Sequence, residues 1–386
     1  MRKKRVLLLS EGFGTGHTQA AHALAHGMKL LYPHLQCRVI ELGNFLNPTI
    51  GPWILSAYRK TVNTSPAIVG MFYRNKYDKS LNKLTQLALH RIFYAHAAQV
   101  ISQLKPDVII CTHPIPNTII SRLKKQGIDV PLITLITDYD VHGTWVSSEV
   151  SQYLASSPKV KNLLIQRGVE PDKIQITGIP VHPDFWQVGD KDQLRKELKL
   201  KDMPTVLIMS GGWGLNLKPD LLQQLTSWAD RIQLIFCLGS NMKLLEKMED
   251  NPMFDHPNIR ILGYTHQINK LMDVSDLLIT KPGGMTCTEG LAKGIQMLFL
   301  QAIPGQEEQN SRFFVNQGFA ETIHSPEVIE QWFSLITQQH NQFEAGRQQP
   351  KRDETYLQPD YCAHAVLNMV IEQSHVPTAW VAATNP

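Results

Sequence analysis

Asp276-Leu277-Leu278-Ile279-Thr280-Lys281-Pro282-Gly283-Gly284-Met285-Thr286-Cys287-Thr288-Glu289-Gly290-Leu291-Ala292 decides how this chain is read. Leu277-Leu278-Ile279 is a short apolar run of the kind that forms a buried strand, and the residues from Met285 onward read as the start of a helix. Between them Pro282 keeps Lys281 out of the helical region. Gly283 and Gly284 let the backbone approach a ligand closely. The N–H groups that open the helix have no intrahelical partner and favour an anion. A second apolar run, Met297-Leu298-Phe299-Leu300, leads into Pro304-Gly305-Gln306-Glu307-Glu308-Gln309-Asn310. Amides and carboxylates just after a strand are what a site needs to hold hydroxyls. A second reading stands beside this one. Thr286 and Glu289 have the Thr-x-x-Glu spacing of a capping box, which satisfies helix N–H groups and binds nothing.

Outward from this stretch the same grammar recurs. Residues 5–10 read as a strand, Glu11-Gly12-Phe13-Gly14-Thr15-Gly16-His17 as a glycine-rich turn, and residues 18–31 as an alanine-rich helix. The turn approaches the dinucleotide fingerprint G-x-G-x-x-G, but its third glycine position holds His17. Glu41, after the short strand 38–40, stands where such a unit places its ribose-binding acid. Strand 107–112 ends in His113-Pro114, and strand 131–137 ends in Asp138. Ser10, His113 and Asp138 thus collect at the carboxyl ends of successive apolar strands, where doubly wound sheets bind ligands. Two shorter strands follow at 151–156 and 174–179, and the charged residues 190–202 read as a connecting helix and linker. A second alternating unit then has strands at 205–209, 233–238, 258–262, 276–279 and 296–300. Glycine turns follow three of these strands: Ser210-Gly211-Gly212-Trp213-Gly214, Gly239-Ser240-Asn241 and Gly263-Tyr264. The pattern predicts parallel sheets with right-handed crossovers. A last helix is expected over 362–371.

A chain of 386 residues exceeds one ordinary core, so two domains are expected. Five widely spaced cysteines (Cys37, Cys111, Cys237, Cys287, Cys362) point to reduced thiols of a cytoplasmic protein rather than a disulfide framework or zinc site. The basic start Met1-Arg2-Lys3-Lys4-Arg5 precedes an apolar run too short for a signal peptide, and it reads as the entry to the first strand. No run of about 18 apolar residues is present to span a membrane. The net charge of +4 is uneven. Residues 44–104 hold seven cations (Arg59, Lys60, Arg74, Lys76, Lys79, Lys83, Arg91) against Asp78, a net +6 that leaves −2 for the remainder. The same segment holds eight aromatics, among them Trp53, Tyr58, Phe72, Tyr73, Tyr77, Phe93 and Tyr94. Cations beside Trp and Tyr suit an anionic membrane surface; a solvated helical face over a core is the plainer account. Nucleic acid is not expected as a partner, because no recognised binding motif accompanies the patch.

Gly14-Thr15-Gly16-His17, Thr137-Asp138 with His142 and Trp145, and Lys281-Pro282-Gly283-Gly284 with Pro304-Gly305-Gln306-Glu307 and Asn310 resemble the diacylglycerol glycosyltransferases. These are the monogalactosyldiacylglycerol synthases and the processive diacylglycerol β-glucosyltransferases. The C-terminal half is also similar to the N-acetylglucosaminyltransferase that makes lipid II. The resemblance runs from about residue 6 to residue 318. It implies an α/β chain of GT-B fold, with two Rossmann-like parallel-sheet domains facing across a cleft. Residues 1–185 are then the acceptor and membrane domain and 200–358 the UDP-sugar domain, with a C-terminal helix at about 360–375 crossing back to the first. The implied activity is inverting transfer of glucose or galactose from UDP-glucose or UDP-galactose to diacylglycerol. It would take place at the cytoplasmic face of the cell membrane, with the protein held there peripherally. By the same likeness Gly263 and Tyr264 lie near the uracil and Glu289 holds the ribose hydroxyls. Gly283, Gly284 and the helix after them receive the diphosphate, Gln306, Glu307 and Asn310 hold the sugar, and Gly211, Gly212, Lys281 and Thr286 count among the donor-binding residues. Gly14 and Gly16 bring His17 to the reacting centre, while Trp53, Tyr58, Arg59, Lys60, Phe72, Tyr73, Arg74 and Lys76 meet the membrane.

The chemistry leads independently to the same residue types. Displacement at an anomeric carbon needs a base for the acceptor hydroxyl and stabilisation of a departing diphosphate. A histidine at a helix N-terminus is pushed toward the neutral form that suits a base, so His17 is the first candidate. Asp138 is an alternative base, or an orienter of His17 or His113. Asp138-Tyr139-Asp140 mimics a metal-binding D-x-D triplet, but it follows a strand remote from the donor motifs, and neither metal nor cofactor is expected. Competing functions are a two-domain sugar-nucleotide epimerase, a nicotinamide-dependent oxidoreductase built on the first glycine turn, and a non-catalytic membrane-binding module. Sugar identity, the number of sugars added and oligomeric state stay open.

Overall fold

The computed structural model describes residues 3–49, 51–53, 56, 96–209, 217–338 and 354–372. The chain divides into one unit of Met1–Pro183, Pro304–Gln306 and Thr355–Pro386 and a second of Asp184–Ile303 and Glu307–Glu354. The two are α/β units, each built on a six-stranded parallel sheet.

The first unit opens with β1 (Arg5–Ser10), α1 (Thr15–Leu31), β2 (Gln36–Glu41) and α2 (Leu42–Leu46). It continues through α3 (Ala97–Leu104), β3 (Val108–Cys111), α4 (Pro114–Lys125), β4 (Leu132–Leu135), β5 (Gln152–Ala155), α5 (Pro158–Gln166) and β6 (Ile174–Ile176). The strand order is β2-β1-β3-β4-β5-β6. Every residue of β3 and β4 is buried, which accounts for their unbroken apolar sequence: a sheet covered on both faces has no polar side to alternate with. The helices start where side chains can cap them. His113 accepts from the Ile115 N–H and Ser157 from the Val160 N–H, each just ahead of a first-turn proline. The core gathers Leu7, Leu9, Ile109, Ile120 and Leu132 with Trp145 and Tyr153.

The second unit runs α6 (Lys191–Glu197), β7 (Thr205–Met209), α7 (Pro219–Thr226), β8 (Gln233–Cys237), α8 (Met242–Glu249) and β9 (Ile259–Leu262). It goes on through α9 (Ile268–Val274), β10 (Leu277–Thr280), α10 (Gly284–Lys293), β11 (Gln296–Phe299), α11 (Gln306–Asn316, in this unit from Glu307 onward), β12 (Ala320–Thr322) and α12 (Pro326–Gln338). Its order is β12-β11-β10-β7-β8-β9. The charged stretch 190–202, expected as a connecting helix and linker, does form a helix, α6, and it is fastened to this unit. Asp190 caps α6 by accepting from the Gln193 N–H at 2.9 Å, and Lys191 Nζ lies 2.7 Å from Asp276 Oδ1. Buried Arg195 donates to the carbonyls of Lys201 and Met203 at 2.8 and 2.9 Å. The other Asp276 oxygen takes the Thr205 N–H at 2.8 Å, so one carboxylate ties α6 to the start of β7.

The chain then returns to the first unit. α13 (Tyr361–Glu372) packs on α1, and Lys4 Nζ donates to the Val370 carbonyl near its end. Gly178 has φ +72°, and a Cβ there would collide with the Tyr356 carbonyl, so only glycine admits this returning strap. All five cysteines are free.

Candidate active site

Each sheet reverses its winding once. The neighbours at the reversal are β1 and β3 in the first unit, and β7 and β10 in the second. The loops beyond the carboxyl ends of such strands leave a crevice that side chains cannot fill, the usual place for a ligand in open parallel sheets.

In the first crevice Gly14 is the N-cap of α1 with φ 142°, a conformation that side chains rarely adopt. The turn places Gly16 and His17 as the second and third residues of α1. His17 Nδ1 lies 3.1 Å from the Thr112 carbonyl oxygen and 2.6 Å from Thr137 Oγ1. A carbonyl can only accept, so the ring proton sits on Nδ1 and Nε2 keeps its lone pair. The His113 ring stands edge-on to His17 with centroids 4.7 Å apart, and the Trp145 ring is tilted at 6.2 Å. Trp145 is itself fixed: Asn117 Nδ2 donates to its carbonyl at 2.9 Å, and Thr134 Oγ1 donates to Asn117 Oδ1 at 2.8 Å. Burial brings the pKa of His17 and of His142 down to about 4, and that of His113 well below its ordinary value. For His113 and His142 the neighbouring His17 adds to the effect. Desolvation penalises the imidazolium, and the N-terminus of α1 acts in the same direction. The crevice therefore holds neutral imidazoles at pH 7, one with an available nitrogen.

Two expectations change here. Orienting His17 was one of the roles open to Asp138; in the structure His17 Nδ1 meets Thr137 and the Thr112 carbonyl. Asp138 is buried, its carbonyl takes the Ser156 hydroxyl at 2.6 Å, and its carboxylate takes a hydrogen bond from Gln306 Nε2. Glu41 does not present itself to a ribose: its two oxygens accept from Thr18 Oγ1 at 2.8 Å and Asn44 Nδ2 at 2.7 Å. Of the membrane candidates, Trp53 is 74% exposed, while Tyr58, Arg59, Lys60, Phe72, Tyr73, Arg74 and Lys76 lie outside the described residues, as do Gly211, Gly212 and Trp213.

In the second crevice β10 runs out at Thr280 and α10 begins at Gly284, with Gly283 as its N-cap and no side-chain capping bond. This overturns the capping-box reading. Thr286 is already the third residue of the helix and Glu289 the sixth, so neither reaches the orphan N–H groups. The side chain of Glu289 is half-buried and has no hydrogen-bond partner among the described residues. Its surroundings push its carboxyl up to about 8, because burial without a cation or donor disfavours the anion. Thr288 turns back to the Gly284 carbonyl at 2.7 Å and serves the helix. Glu307 Oε2 accepts from the Ile303 N–H at 2.9 Å. Burial raises its pKa, against the opposing bond from Ile303 and the charge of Lys281. Asn310 is buried, and beyond β9 the Tyr264 ring is 65% exposed, standing edge-on to His266 at 5.0 Å.

Thr137, Thr112 and Asn117 are residues that sequence reasoning did not single out for the site. Thr137 was quoted only as the neighbour of Asp138.

Comparison with known proteins finds likenesses for each half of the chain. Residues 17–181 match the family model described as monogalactosyldiacylglycerol (MGDG) synthase, and residues 205–358 match the glycosyltransferase family 28 C-terminal domain. The processive diacylglycerol beta-glucosyltransferase of Bacillus licheniformis is 29% identical over 97% of this chain and 96% of its own. Among solved structures, MurG of Acinetobacter baumannii covers 96% of this chain and 99% of its own at a TM-score of 0.56 and 16% identity. Anabaena Alr3699/HepE in complex with UDP-glucose covers the same shares at a TM-score of 0.57 and 13% identity. The fold is thus that of GT-B glycosyltransferases, and the sequence likeness to the diacylglycerol glycosyltransferases extends over nearly the whole chain.

Proposed function

We propose that this glycosyltransferase moves a hexose, glucose or galactose, from a UDP-sugar to diacylglycerol at a membrane surface, inverting the anomeric centre. The observation that carries this reading is the uncapped start of α10 after Lys281-Pro282-Gly283-Gly284, with the Glu289 carboxyl, which meets no hydrogen-bond partner among the described residues, in its second turn. An anion is favoured at such a helix start, and a carboxyl with both oxygens unengaged can hold a pair of hydroxyls. In this reading the second unit binds the donor. The diphosphate meets the α10 N–H groups and Lys281, and the ribose meets Glu289. The uracil lies by Gly263 and Tyr264, and the sugar meets Gln306, Glu307 and Asn310. Glu307 must then exchange its bond to the Ile303 N–H for one to the sugar, or use its other oxygen. No metal or cofactor takes part in this reading, because the backbone dipoles and the lysine meet the developing charge.

The first unit supplies the acceptor side. His17 Nε2 takes the proton of the acceptor hydroxyl, the freed oxygen bonds to the anomeric carbon, and the bond to the diphosphate oxygen breaks with its electron pair leaving on UDP. A base that is neutral at pH 7 needs no prior deprotonation. Diacylglycerol is supported as acceptor by the likeness to the processive diacylglycerol beta-glucosyltransferase of Bacillus licheniformis and by the monogalactosyldiacylglycerol synthase family match over residues 17–181. Such a lipid stays in its bilayer, since each exposed CH₂ costs about 0.8 kcal/mol. Among the described residues no helix is long and apolar enough to cross a membrane; in this reading the protein meets its lipid peripherally, at the cytoplasmic face of the membrane. Exposed Phe45 and Trp53 belong to the basic segment that would meet anionic lipid.

Incubation with labelled UDP-glucose or UDP-galactose and diacylglycerol vesicles tests the reading. Label appearing in a β-linked glycolipid supports it. Release of free hexose or an altered sugar nucleotide, with no label in lipid, overturns it.

A further inference from the structure

The base proposed above is held in an unusual way for a catalytic histidine. Among the described residues its Nδ1 meets no carboxylate but two neutral oxygens delivered by adjacent strand ends. Thr112 follows the last residue of β3, and its N–H donates to the Leu9 carbonyl at 3.0 Å. Thr137 lies two residues past the end of β4, next to Ile136, whose N–H donates to the Leu154 carbonyl at 3.0 Å. Both threonines are buried, and Thr137 Oγ1 itself lies 3.5 Å from the Thr112 carbonyl. A consistent chain results: His17 Nδ1–H donates to Thr137 Oγ1, whose hydroxyl donates on to the Thr112 carbonyl. The His113 and Trp145 rings close the sides and stop the imidazole from turning over.

We propose that Thr137 is the positioning residue of His17: together with the Thr112 carbonyl it keeps the ring proton on Nδ1 and leaves Nε2 as the nitrogen that accepts the acceptor's proton. The inference rests on the reading of His17 as the base. A hydroxyl suits this place better than a carboxylate. An aspartate on Nδ1 would stabilise imidazolium in the resting enzyme and raise the pH at which the base is lost. A threonine hydroxyl fixes tautomer and aim while leaving the ring neutral, in keeping with the depressed His17 value. During transfer the proton passes from the acceptor O–H to Nε2, the new C–O bond forms, and UDP leaves with the electron pair of the old one. The imidazolium then tightens its Nδ1–H bond to Thr137 until Nε2 releases its proton to solvent.

The test uses full-length Thr137→Val, Thr137→Ser and Thr137→Asp. Histidine ¹⁵N shifts of labelled protein report the tautomer without any need for activity. Wild type and the serine variant are expected with the proton on Nδ1, and the valine variant with a mixture. Turnover at saturating donor should fall roughly 10–100-fold in the valine variant, the scale for losing an outer-shell partner, with KM for the UDP-sugar unchanged, and should recover in the serine variant. The aspartate variant should move the acid limb of the pH profile to higher pH. A wild-type ring protonated on Nε2, or a valine variant with wild-type tautomer and turnover, overturns the assignment. Correct ¹⁵N shifts in a wild type that transfers no hexose would instead sink the base reading and leave the positioning geometry standing.

Discussion

The two crevices of this molecule sit at equivalent reversals of similar parallel sheets, yet burial does opposite things in them. Beyond β1 and β3, desolvation strips protons from His17, His113 and His142. Beyond β10, desolvation adds a proton to Glu289, pushing it to about 8. In both places the neutral form wins, but the outcome is a lone pair ready to accept a proton in one and an uncharged carboxyl beside an anion-seeking helix in the other. A neutral Glu289 does not repel a diphosphate, and it can both donate to and accept from ribose hydroxyls. The comparison teaches that the winding of the sheet chooses where a ligand can lie, while residue types at a few strand ends choose what happens to it.

The largest expected effect tests the first crevice. His17→Ala should lower turnover by roughly 10²–10⁴-fold, the usual worth of a general base, with UDP affinity in equilibrium titration unchanged. Near-normal turnover would break the comparison and pass the proton-accepting role to Asp138. A smaller effect probes the second crevice. Glu289→Ala should weaken UDP binding by about 1–3 kcal/mol, and Glu289→Gln by less, since an amide also donates and accepts. Unchanged affinity in the alanine variant would remove the ribose role.

The smallest effect sharpens the contrast through stability. For the histidines the folded pKa lies below the ordinary 6.5, so their contribution is full above that value and is lost as pH falls toward about 4. For Glu289 the folded pKa lies above the ordinary 4.5, so its contribution is present below that value and is lost as pH rises through about 8. Thermal unfolding across this range should show a weaker acid-side fall in His142→Asn and a weaker alkaline-side fall in Glu289→Gln. Parallel curves for variants and wild type would mean that these groups titrate alike in the folded and unfolded chains.

Much of the fold was readable because its signals are local. Pro282-Gly283-Gly284 marks the turn before α10 whatever the rest of the chain does, and the unbroken apolar runs of β3 and β4 announce a sheet covered on both faces. The two-unit α/β pattern and the grouping of polar residues at strand ends follow from such signals. The Thr-x-x-Glu spacing misled as a capping box because spacing does not say where a helix begins: α10 starts at Gly284, before Thr286 is reached. Glu41 stands where a ribose-binding acid would, but spacing does not show that Thr18 of α1 and Asn44 of α2 engage its oxygens.

By itself the amino-acid sequence determined the parallel α/β architecture, the glycine-opened helix, the histidine at the start of α1 and the likeness to diacylglycerol glycosyltransferases. Only the tertiary structure decided that Thr137 meets His17, 120 positions away in the chain, and that Asp276 anchors Lys191, 85 positions before it. It also decided that Glu289 meets no hydrogen-bond partner among the described residues. The physical reason is one of range. Turn, strand and helix preferences act over a few residues, whereas the partner of a buried polar group is set by which strand ends the sheet order makes neighbours. Desolvation then acts on whatever that order has enclosed.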